Sequence, residues 1–336
     1  MSDQAAVKDV PAIVKPGVRS RKFFLLLLLG ALFLFPVLHL TIGGLNYWLH
    51  MALYIFMYIA MASSWNIIGG YTGYISLGHN VFFAVGAYFS GMLLANMGLS
   101  PFLTAPLAGV AAFLVGLAVG LISLRTRGPA FIITTIAMVL LAGLLFDKWK
   151  AAGGANGLSL ALIDLPARTA KLPFYYGMLI LAVGSLSLSY IIRHSKFGLG
   201  LRAISQDEIK AEASGIPTNE YKILAFAISA LFVGMAGALW GYYLTYLRPS
   251  LFLTITIAAT LVLMTILGGK GTVAGPVVGA VLLIAINEFF VAQFGSTALN
   301  IVATGVIMMV VLLFFPAGII GTLKERGWLP GFIDWE

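Results

Sequence analysis

Residues 23–40 read FFLLLLLGALFLFPVLHL and contain no charged side chain. A helix needs about 20 apolar residues to cross the roughly 30 Å hydrocarbon core of a bilayer, so this run is long enough for a membrane span. Arg19, Arg21 and Lys22 precede it as in a signal peptide, but no A-x-A cleavage site follows. We therefore predict that the run is retained as the first transmembrane helix.

The rest of the chain continues this pattern. Apolar residues make up 60% of the 336 residues and charged residues 10%, against roughly 45–50% and about 25% in soluble proteins. So few charges cannot cover a water-soluble fold, and continuously apolar segments favour helices over a barrel. We predict an all-α integral membrane protein, a polytopic bundle of about ten transmembrane helices. The predicted spans are residues 23–43, 48–68, 80–97, 102–124, 129–146, 174–192, 223–246, 250–267, 273–291 and 299–316.

Lysine and arginine are distributed unevenly between the two sides of these spans. With the N-terminus inside, fifteen of them fall on inner segments and five on outer segments. Because positive residues mark cytoplasmic loops, both termini are predicted to be cytoplasmic. The chain then divides into a cytoplasmic N-terminal segment (1–22), a transmembrane domain (23–316) and a cytoplasmic C-terminal tail (317–336). Two connections are long, the outer 147–173 and the inner 193–222.

The long inner connection carries the signals of a short helix. Ser205 and Glu208 have the spacing of a capping box, in which the serine caps a backbone N–H and the glutamate reaches back. Gly215 supplies a left-handed residue after the helix, and Pro217 prevents its continuation. These signals predict a helix over 206–214. It is too short to cross a bilayer and marginal alone, so we interpret it as a docking helix for a cytoplasmic partner. The alternative is a surface helix that only joins two spans.

A polar, glycine-rich segment, GGYTGYISLGHN (69–80), separates the second and third spans. A broken polar backbone is costly against lipid, so the segment lies at the cytoplasmic surface or inside the bundle against a wet cavity. Ser76 and His79 are candidates for a translocation pathway, as is Asn66 near the inner end of the preceding span. The alternatives are a hydrogen-bonded imidazole at a helix start for His79 and a helix–helix hydrogen bond for Asn66.

Glu288 is the one acidic residue inside a predicted span, and Asn287 adjoins it. An intramembrane carboxylate is a functional candidate by default. It lies 15 residues past Val273, roughly 22 Å along a helix at 1.5 Å per residue, which places it near the outer boundary. Asn287 and Glu288 are therefore pathway candidates, with a structural or interfacial role as the alternative.

Other motifs give no support for catalysis or cofactor binding by this chain. The segment GGKGT (268–272) fails the P-loop pattern, because Gly271 follows the lysine and Met264 stands where the first glycine belongs. There is no cysteine, the four histidines lack metal-ligand spacing, and no basic run resembles a nucleic-acid motif. We expect no catalytic, metal or nucleic-acid site.

Four stretches carry a family resemblance. They are GYTGYISLGH (70–79), GLRAISQDEIKAEASGI (200–216), LGGKGT (267–272) and GGANGL (153–158). The first three resemble the second-span motif, the cytoplasmic coupling loop and the late glycine loop of bacterial branched-chain amino acid ABC permeases. The fourth fits the LivM-type subunit better than its LivH-type partner. The coupling loop matches the longer EAA signature of other ABC permeases only in part.

The resemblance implies the permease half of an importer in the bacterial inner membrane. A second, homologous permease would pair with the chain, and a periplasmic binding protein would deliver leucine, isoleucine or valine. Two cytoplasmic ATPases would bind ATP-Mg and dock below, whereas the chain itself would hold no cofactor. The residues implied to contact the ATPases are Arg202, Ser205, Asp207, Glu208, Glu212 and Gly215.

Three other interpretations stay open. Close relatives of such permeases carry urea or short-chain amides. An ion-coupled secondary transporter would need an ion site, for which Glu288 is the available membrane acid. An assembly or sensor subunit would not transport at all.

Overall fold

The computed structural model describes residues 18–166, 168–295 and 317–326, with scattered positions between 302 and 315. Nearly all of this part is helical. The helices are α1 Val18–Ile42, α2 Asn46–Gly69, α3 His79–Met97, α4 Pro101–Ser123, α5 Pro129–Lys148, α6 Leu172–His194, α7 Lys196–Gln206, α8 Glu208–Ala213, α9 Thr218–Leu244, α10 Pro249–Phe252, α11 Ile255–Gly269, α12 Gly275–Phe294 and α13 Gly318–Glu325. Two short strands, β1 Leu158–Ser159 and β2 Tyr246–Leu247, complete it.

Eight segments in the described part of the chain are long and apolar enough to span a membrane: α2 to α6, α9, α10 with α11, and α12. The first predicted span corresponds to α1, whose apolar stretch Leu26–Thr41 is shorter. The all-α polytopic fold is therefore confirmed. The tenth predicted span, 299–316, falls where the structure describes only scattered positions.

Two helices form the centre of the bundle. Helix α2 packs against α6, α9, α11 and α12, and α9 also packs against α3 and α4. The backbones of α3 and α9 touch, because a Cβ added to Gly86 would lie 1.9 Å from the carbonyl oxygen of Gly234. Small residues are what permit such close approach of membrane helices.

The span ends sort into two groups, as the predicted alternation of inner and outer connections requires, and which group faces the cytoplasm stays a prediction. The inner segments 70–78, 195–217 and 270–274 meet at one end of the bundle, where Tyr74 donates to Glu208 and all three segments line one cavity. At the other end β1 pairs with β2 in antiparallel register, and the Lys171 ammonium donates to the carbonyl of Asn46. Helix α13 packs on α11 and α12, which attaches the described part of the C-terminal tail to the bundle.

The segment between α2 and α3 turns at the inner end of the bundle, and its second half enters the bundle. The Trp65 indole N–H donates to the Ser76 carbonyl at 2.8 Å, and His79 Nε2 lies 2.9 Å from Ser229 Oγ. Ser229 is eleven residues into α9, about 16 Å from its first residue, Thr218. Helix α3 therefore begins deep inside the membrane domain. Of the two predicted locations, the surface holds for the first half of the segment and the bundle interior for the second.

A second helix break faces this deep start. The predicted span 250–267 is divided at Leu253 and Thr254 into α10 and α11. The amide of Asn80, in the first turn of α3, donates to the Thr254 carbonyl at 2.9 Å. Within hydrocarbon, a carbonyl freed by a helix break needs such a partner.

Candidate functional site

The long inner connection folds into two helices, α7 and α8. The Ser195 hydroxyl caps α7 by accepting the Gly198 N–H at 3.1 Å. The ring of Phe197 lies 5.0 Å from that of Tyr221 on α9. A Cβ on Gly200 would meet the Tyr221 ring at 2.4 Å, so the absence of a side chain lets α7 lie flat on α9.

The start of α8 corrects the predicted capping box. Asp207 is the N-cap, with extended backbone (φ −162°, ψ 108°), and its Oδ1 accepts the Lys210 N–H at 3.1 Å. Ser205 instead lies in the last turn of α7. Aspartate caps helices as well as serine does, and Glu208 is engaged by charged groups and does not reach back. The predicted start of the helix 206–214 is therefore wrong, and α8 has six residues.

The end of α8 matches the prediction. Gly215 is left-handed, with φ 83°. Its N–H donates to the Glu212 carbonyl at 2.9 Å, and the Ile216 N–H donates to the Ala211 carbonyl at 3.1 Å. These two bonds form a Schellman motif, and Pro217 follows it.

Glu208, the first residue of α8, bonds to three other parts of the chain. Lys222 near the start of α9 donates to Oε1 at 2.6 Å, and the Tyr74 hydroxyl donates to Oε2 at 2.5 Å. The guanidinium of Arg127, between α4 and α5, lies 3.2 Å from Oε1. The Lys222 side chain is only 1% exposed. Its ammonium also lies 5.0 Å from the centre of the Tyr74 ring, a cation–π distance.

The basic side chains and the Tyr74 hydroxyl of this cluster stabilise the ionised form of Glu208. Burial raises the pKa of the Glu208 carboxyl, but hydrogen bonds from Lys222 and Tyr74 and the attraction of Arg127 outweigh it and hold the pKa below its usual value. Burial and the hydrogen bond to Glu208 raise the pKa of the Tyr74 phenol. At neutral pH the carboxylate is therefore ionised and the phenol neutral, so α8 is fastened by charged hydrogen bonds.

The outer face of α8 points away from the membrane domain. Ile209 is 70% exposed, and Lys210 and Glu212 beside it are exposed as well. Together these three side chains form the exposed face of α8.

A basic cavity of about 520 Å³ lies beside α7 on the same face of the molecule. Its cationic lining is Arg193, Arg202 and Lys270, with hydroxyls from Ser205 and Thr272. No acidic side chain of the described residues lines it. Arg202 and Ser205, both predicted to contact a partner, are thus placed where an anionic group would be attracted.

Asn66 is fully buried. Both the amide nitrogen and the amide oxygen of its side chain form hydrogen bonds. Nδ2 donates to the Thr272 carbonyl at 2.8 Å, and Oδ1 accepts the Gly271 N–H at 3.0 Å. Asn66 therefore fastens the inner end of α2 to the connection between α11 and α12. Its part in a translocation pathway stays a prediction.

Ser76 and His79 lie together inside the bundle, and both are fully buried. Ser76 Oγ is 3.2 Å from His79 Nδ1, and Ser229 Oγ is 2.9 Å from His79 Nε2. The imidazole also meets the rings of Phe82 and Phe226 edge-on. This is the arrangement of a hydrogen-bonded histidine at a helix start.

Asn287 and Glu288 lie at the outer end, apart from the other candidates. Glu288 Oε2 accepts the Tyr47 hydroxyl at 2.9 Å. Tyr47 precedes Asn66 by nineteen residues of α2, which separates the two positions by about 28 Å. The five predicted pathway residues therefore do not form one site.

Sequence reasoning missed four residues of the cytoplasmic site: Tyr74, Arg127, Ile209 and Lys222. Tyr74 and Lys222 could have been suspected, since each is a polar residue next to an inner span end. Nothing in their spacing indicated that both would meet Glu208, because these contacts join parts of the chain distant in sequence.

Comparison with known proteins identifies the family. A family model described as "Branched-chain amino acid transport system / permease component" matches residues 47–314. The permease protein LivM of Salmonella typhimurium is 26% identical over 96% of this chain and 82% of its own length. LivM of Escherichia coli K12 is 27% identical over 94% of this chain and 79% of its own length. LivH of Salmonella typhimurium is also named a permease protein of high-affinity branched-chain amino acid transport. It is 24% identical over 79% of this chain and 91% of its own length. No solved structure matches the chain.

These findings confirm the resemblance to LivM-type permease subunits. The apolar spans and the bacterial relatives make the chain a multi-pass protein of the inner membrane. Because the family model covers most of the sequence, this chain belongs to the family of permease components of branched-chain amino acid transport systems.

Proposed function

We propose that this chain is one membrane half of an ATP-driven importer that moves leucine, isoleucine and valine into the cell. A second, homologous permease pairs with it, two cytoplasmic ATPases bind ATP-Mg, and a periplasmic binding protein delivers the substrate. The family and the named relatives support this substrate class. The observation that carries the coupling mechanism is the Glu208 cluster, which joins an exposed cytoplasmic helix to the spans.

In this mechanism α8 is the part that the ATPase moves. The exposed Ile209, with Lys210 and Glu212, enters the ATPase surface, while Glu208 transmits the displacement to Lys222 on α9. The same carboxylate pulls on Tyr74, which belongs to the segment that enters the bundle and starts α3. Because α3 and α9 touch along their backbones, the two spans move together.

The direct test is uptake into vesicles that contain the complete transporter. Vesicles loaded with ATP should accumulate labelled leucine when the binding protein is added outside, and isoleucine and valine should compete. Urea and a short amide should not. Uptake of urea or the amide without leucine would overturn the substrate class, and uptake independent of ATP would overturn the importer class.

Gly215→Val should weaken coupling at the end of α8. No atom lies within 4 Å of an added Cβ, so the effect arises from the left-handed backbone, which disfavours a β-branched residue by roughly 1–3 kcal/mol. We expect reduced substrate-stimulated ATP hydrolysis and leucine uptake with normal membrane insertion. Ala213→Val, an exposed change inside the same helix, is the matched control. Activities equal to those of the control would make α8 a passive connector.

The second candidate function is an ion-coupled secondary transporter, with Glu288 as the ion site. The hydrogen bond from Tyr47 at the outer boundary favours a structural role instead. Glu288→Gln keeps an acceptor for that bond, so most of the maximal ATP-driven uptake should remain, and ionophores should not abolish it. Tyr47→Phe is the control for the hydrogen bond alone. Complete loss of uptake in Glu288→Gln, with normal assembly and ATP hydrolysis, would support ion coupling.

A further inference from the structure

The outer half of α2 is packed differently from its inner half. His50, Met51, Tyr54 and Ile55 are half-buried, whereas every residue from 56 to 69 is buried. The chain's own packing therefore encloses the inner half of α2 and leaves part of its outer half uncovered.

Aromatic side chains form a continuous column along this uncovered part: His50, Tyr54, Tyr58, Trp240 and Tyr243. The His50 ring stacks on Tyr243 at 5.6 Å and its Nδ1 lies 2.8 Å from the Tyr243 hydroxyl. Trp240 stacks on Tyr243 at 5.3 Å and contacts Tyr54 at 5.5 Å. The Tyr54 hydroxyl donates to that of Tyr58 at 3.3 Å. Only Tyr58, at the inner end, is buried, with 6% exposure.

The depth of the column separates it from an ordinary interfacial belt. Tyr54 and Tyr58 lie eight and twelve residues after Asn46, the first residue of α2, or about 12 and 18 Å along the helix. Belt aromatics sit at the headgroup level, which suits His50 and Tyr243 but not these two. Polar groups at such depth face the bundle interior or a water-filled space. Tyr54 and Trp240 are only half-buried, so the rest of the chain does not fully enclose the column.

The outer end of the column lies near polar side chains of both charges. Tyr243 also lines a cavity of about 130 Å³ that includes Lys171 and Phe174. Glu288, at the same end of the bundle, accepts the Tyr47 hydroxyl. One cationic and one anionic side chain can each attract the oppositely charged end of a zwitterion, unlike a ring of one sign.

We propose that the aromatic column is one wall of an external vestibule, along which the aliphatic side chain of an amino acid moves as far as Tyr58. The inference rests on the proposed function, because it assigns a passage to that substrate class. Flat ring faces offer apolar contact without selecting one branched shape, and the hydroxyls of Tyr54 and Tyr243 can exchange hydrogen bonds with the ammonium and carboxylate.

The chain contains no cysteine, which permits a direct accessibility test. Tyr54→Cys and Trp240→Cys are placed singly in the complete transporter in right-side-out vesicles, and a charged, membrane-impermeant methanethiosulfonate is added outside. Ile180→Cys is the matched control, since Ile180 is 68% exposed on the surface of α6, eight residues from its outer start. Because a charged reagent is excluded from hydrocarbon, both column cysteines should react about 100-fold faster than the control. Excess leucine with the binding protein should slow their reaction.

The outcomes separate this inference from the proposed function. Column cysteines that react no faster than Ile180→Cys, in vesicles that still take up leucine, would overturn the vestibule and leave the importer intact. Fast reaction that leucine does not slow would overturn the column as the substrate's wall. Protection by urea and not by leucine would overturn the aliphatic occupant together with the proposed substrate. Because Tyr54→Cys and Trp240→Cys are tested separately, the inference can still be tested if one of them fails to assemble.

Discussion

Glu208→Gln should release α8 from the membrane domain and abolish coupled transport. The substitution leaves the Lys222 ammonium, 1% exposed, without its anionic partner. Breaking a buried ion pair on one side costs about 3–5 kcal/mol, and because the Glu208 side chain is 13% exposed we expect the lower end of that range. The measurement is the midpoint of thermal unfolding of the purified complex, together with leucine-stimulated ATP hydrolysis.

Two further variants show whether the charge is responsible. Glu212→Gln removes an exposed carboxylate from the same helix and should change stability little. Glu208→Gln combined with Lys222→Met removes both charges and should recover part of the lost stability. A Glu208→Gln protein as stable as Glu212→Gln would show that the ion pair does not fasten α8.

Lowering the pH should destabilise the protein in the same way as Glu208→Gln. Because the pKa of Glu208 is lowered on folding, its contribution to stability is complete above the usual carboxyl pKa of 4.5 and is lost as the pH falls through the lower folded value. Glu208→Gln should remove this part of the pH dependence.

Gly86→Ala should separate α3 from α9 and prevent a stable bundle. The added Cβ would lie 1.9 Å from the backbone oxygen of Gly234, and no side-chain rotation can relieve a clash with backbone. Overpacking of this kind costs typically about 1–3 kcal/mol and occasionally more, and we expect the upper part of that range. The yield and the unfolding midpoint of the detergent-solubilised protein report the effect.

Gly143→Ala is the matched control, since Gly143 lies inside α5 and nothing is within 4 Å of its added Cβ. This change should be neutral or stabilise by roughly 0.5–1 kcal/mol through the lower backbone entropy of alanine. Equal behaviour of the two variants would contradict the backbone contact between α3 and α9.

The sequence predicted best the features that depend on the sum over many residues or on immediate neighbours in the chain. Span positions follow from long apolar runs, and the orientation follows from the sum of many lysines and arginines. The end of α8 was predictable because Gly215 and Pro217 act on their immediate neighbours. These features need no knowledge of distant contacts.

The same sequence could not predict features that depend on distant partners. The capping box failed because the carboxylate of Glu208 meets Lys222 and Tyr74, which are 14 and 134 residues away. The break before α11 fits the fold because Asn80 satisfies the Thr254 carbonyl, 174 residues later. For the candidate site, the location of the coupling region in the chain was therefore predictable, and the hydrogen bonds and ion pairs within it were not.

The deep start of α3 has a consequence for how the chain is made. The imidazole of His79 finds its partner on α9, and Asn80 finds its partner after α10, both more than 140 residues later. While the ribosome is still synthesising α4 to α6, these two polar side chains are already in the membrane without the hydrogen-bond partners that they will use. Helix α3 is also the least hydrophobic of the eight apolar segments, with a mean hydropathy of 1.3. We therefore expect α3 to reach its final position late, by rearrangement within the bilayer after α9 and α10 have emerged, and nascent chains arrested before α9 to hold it in a different place.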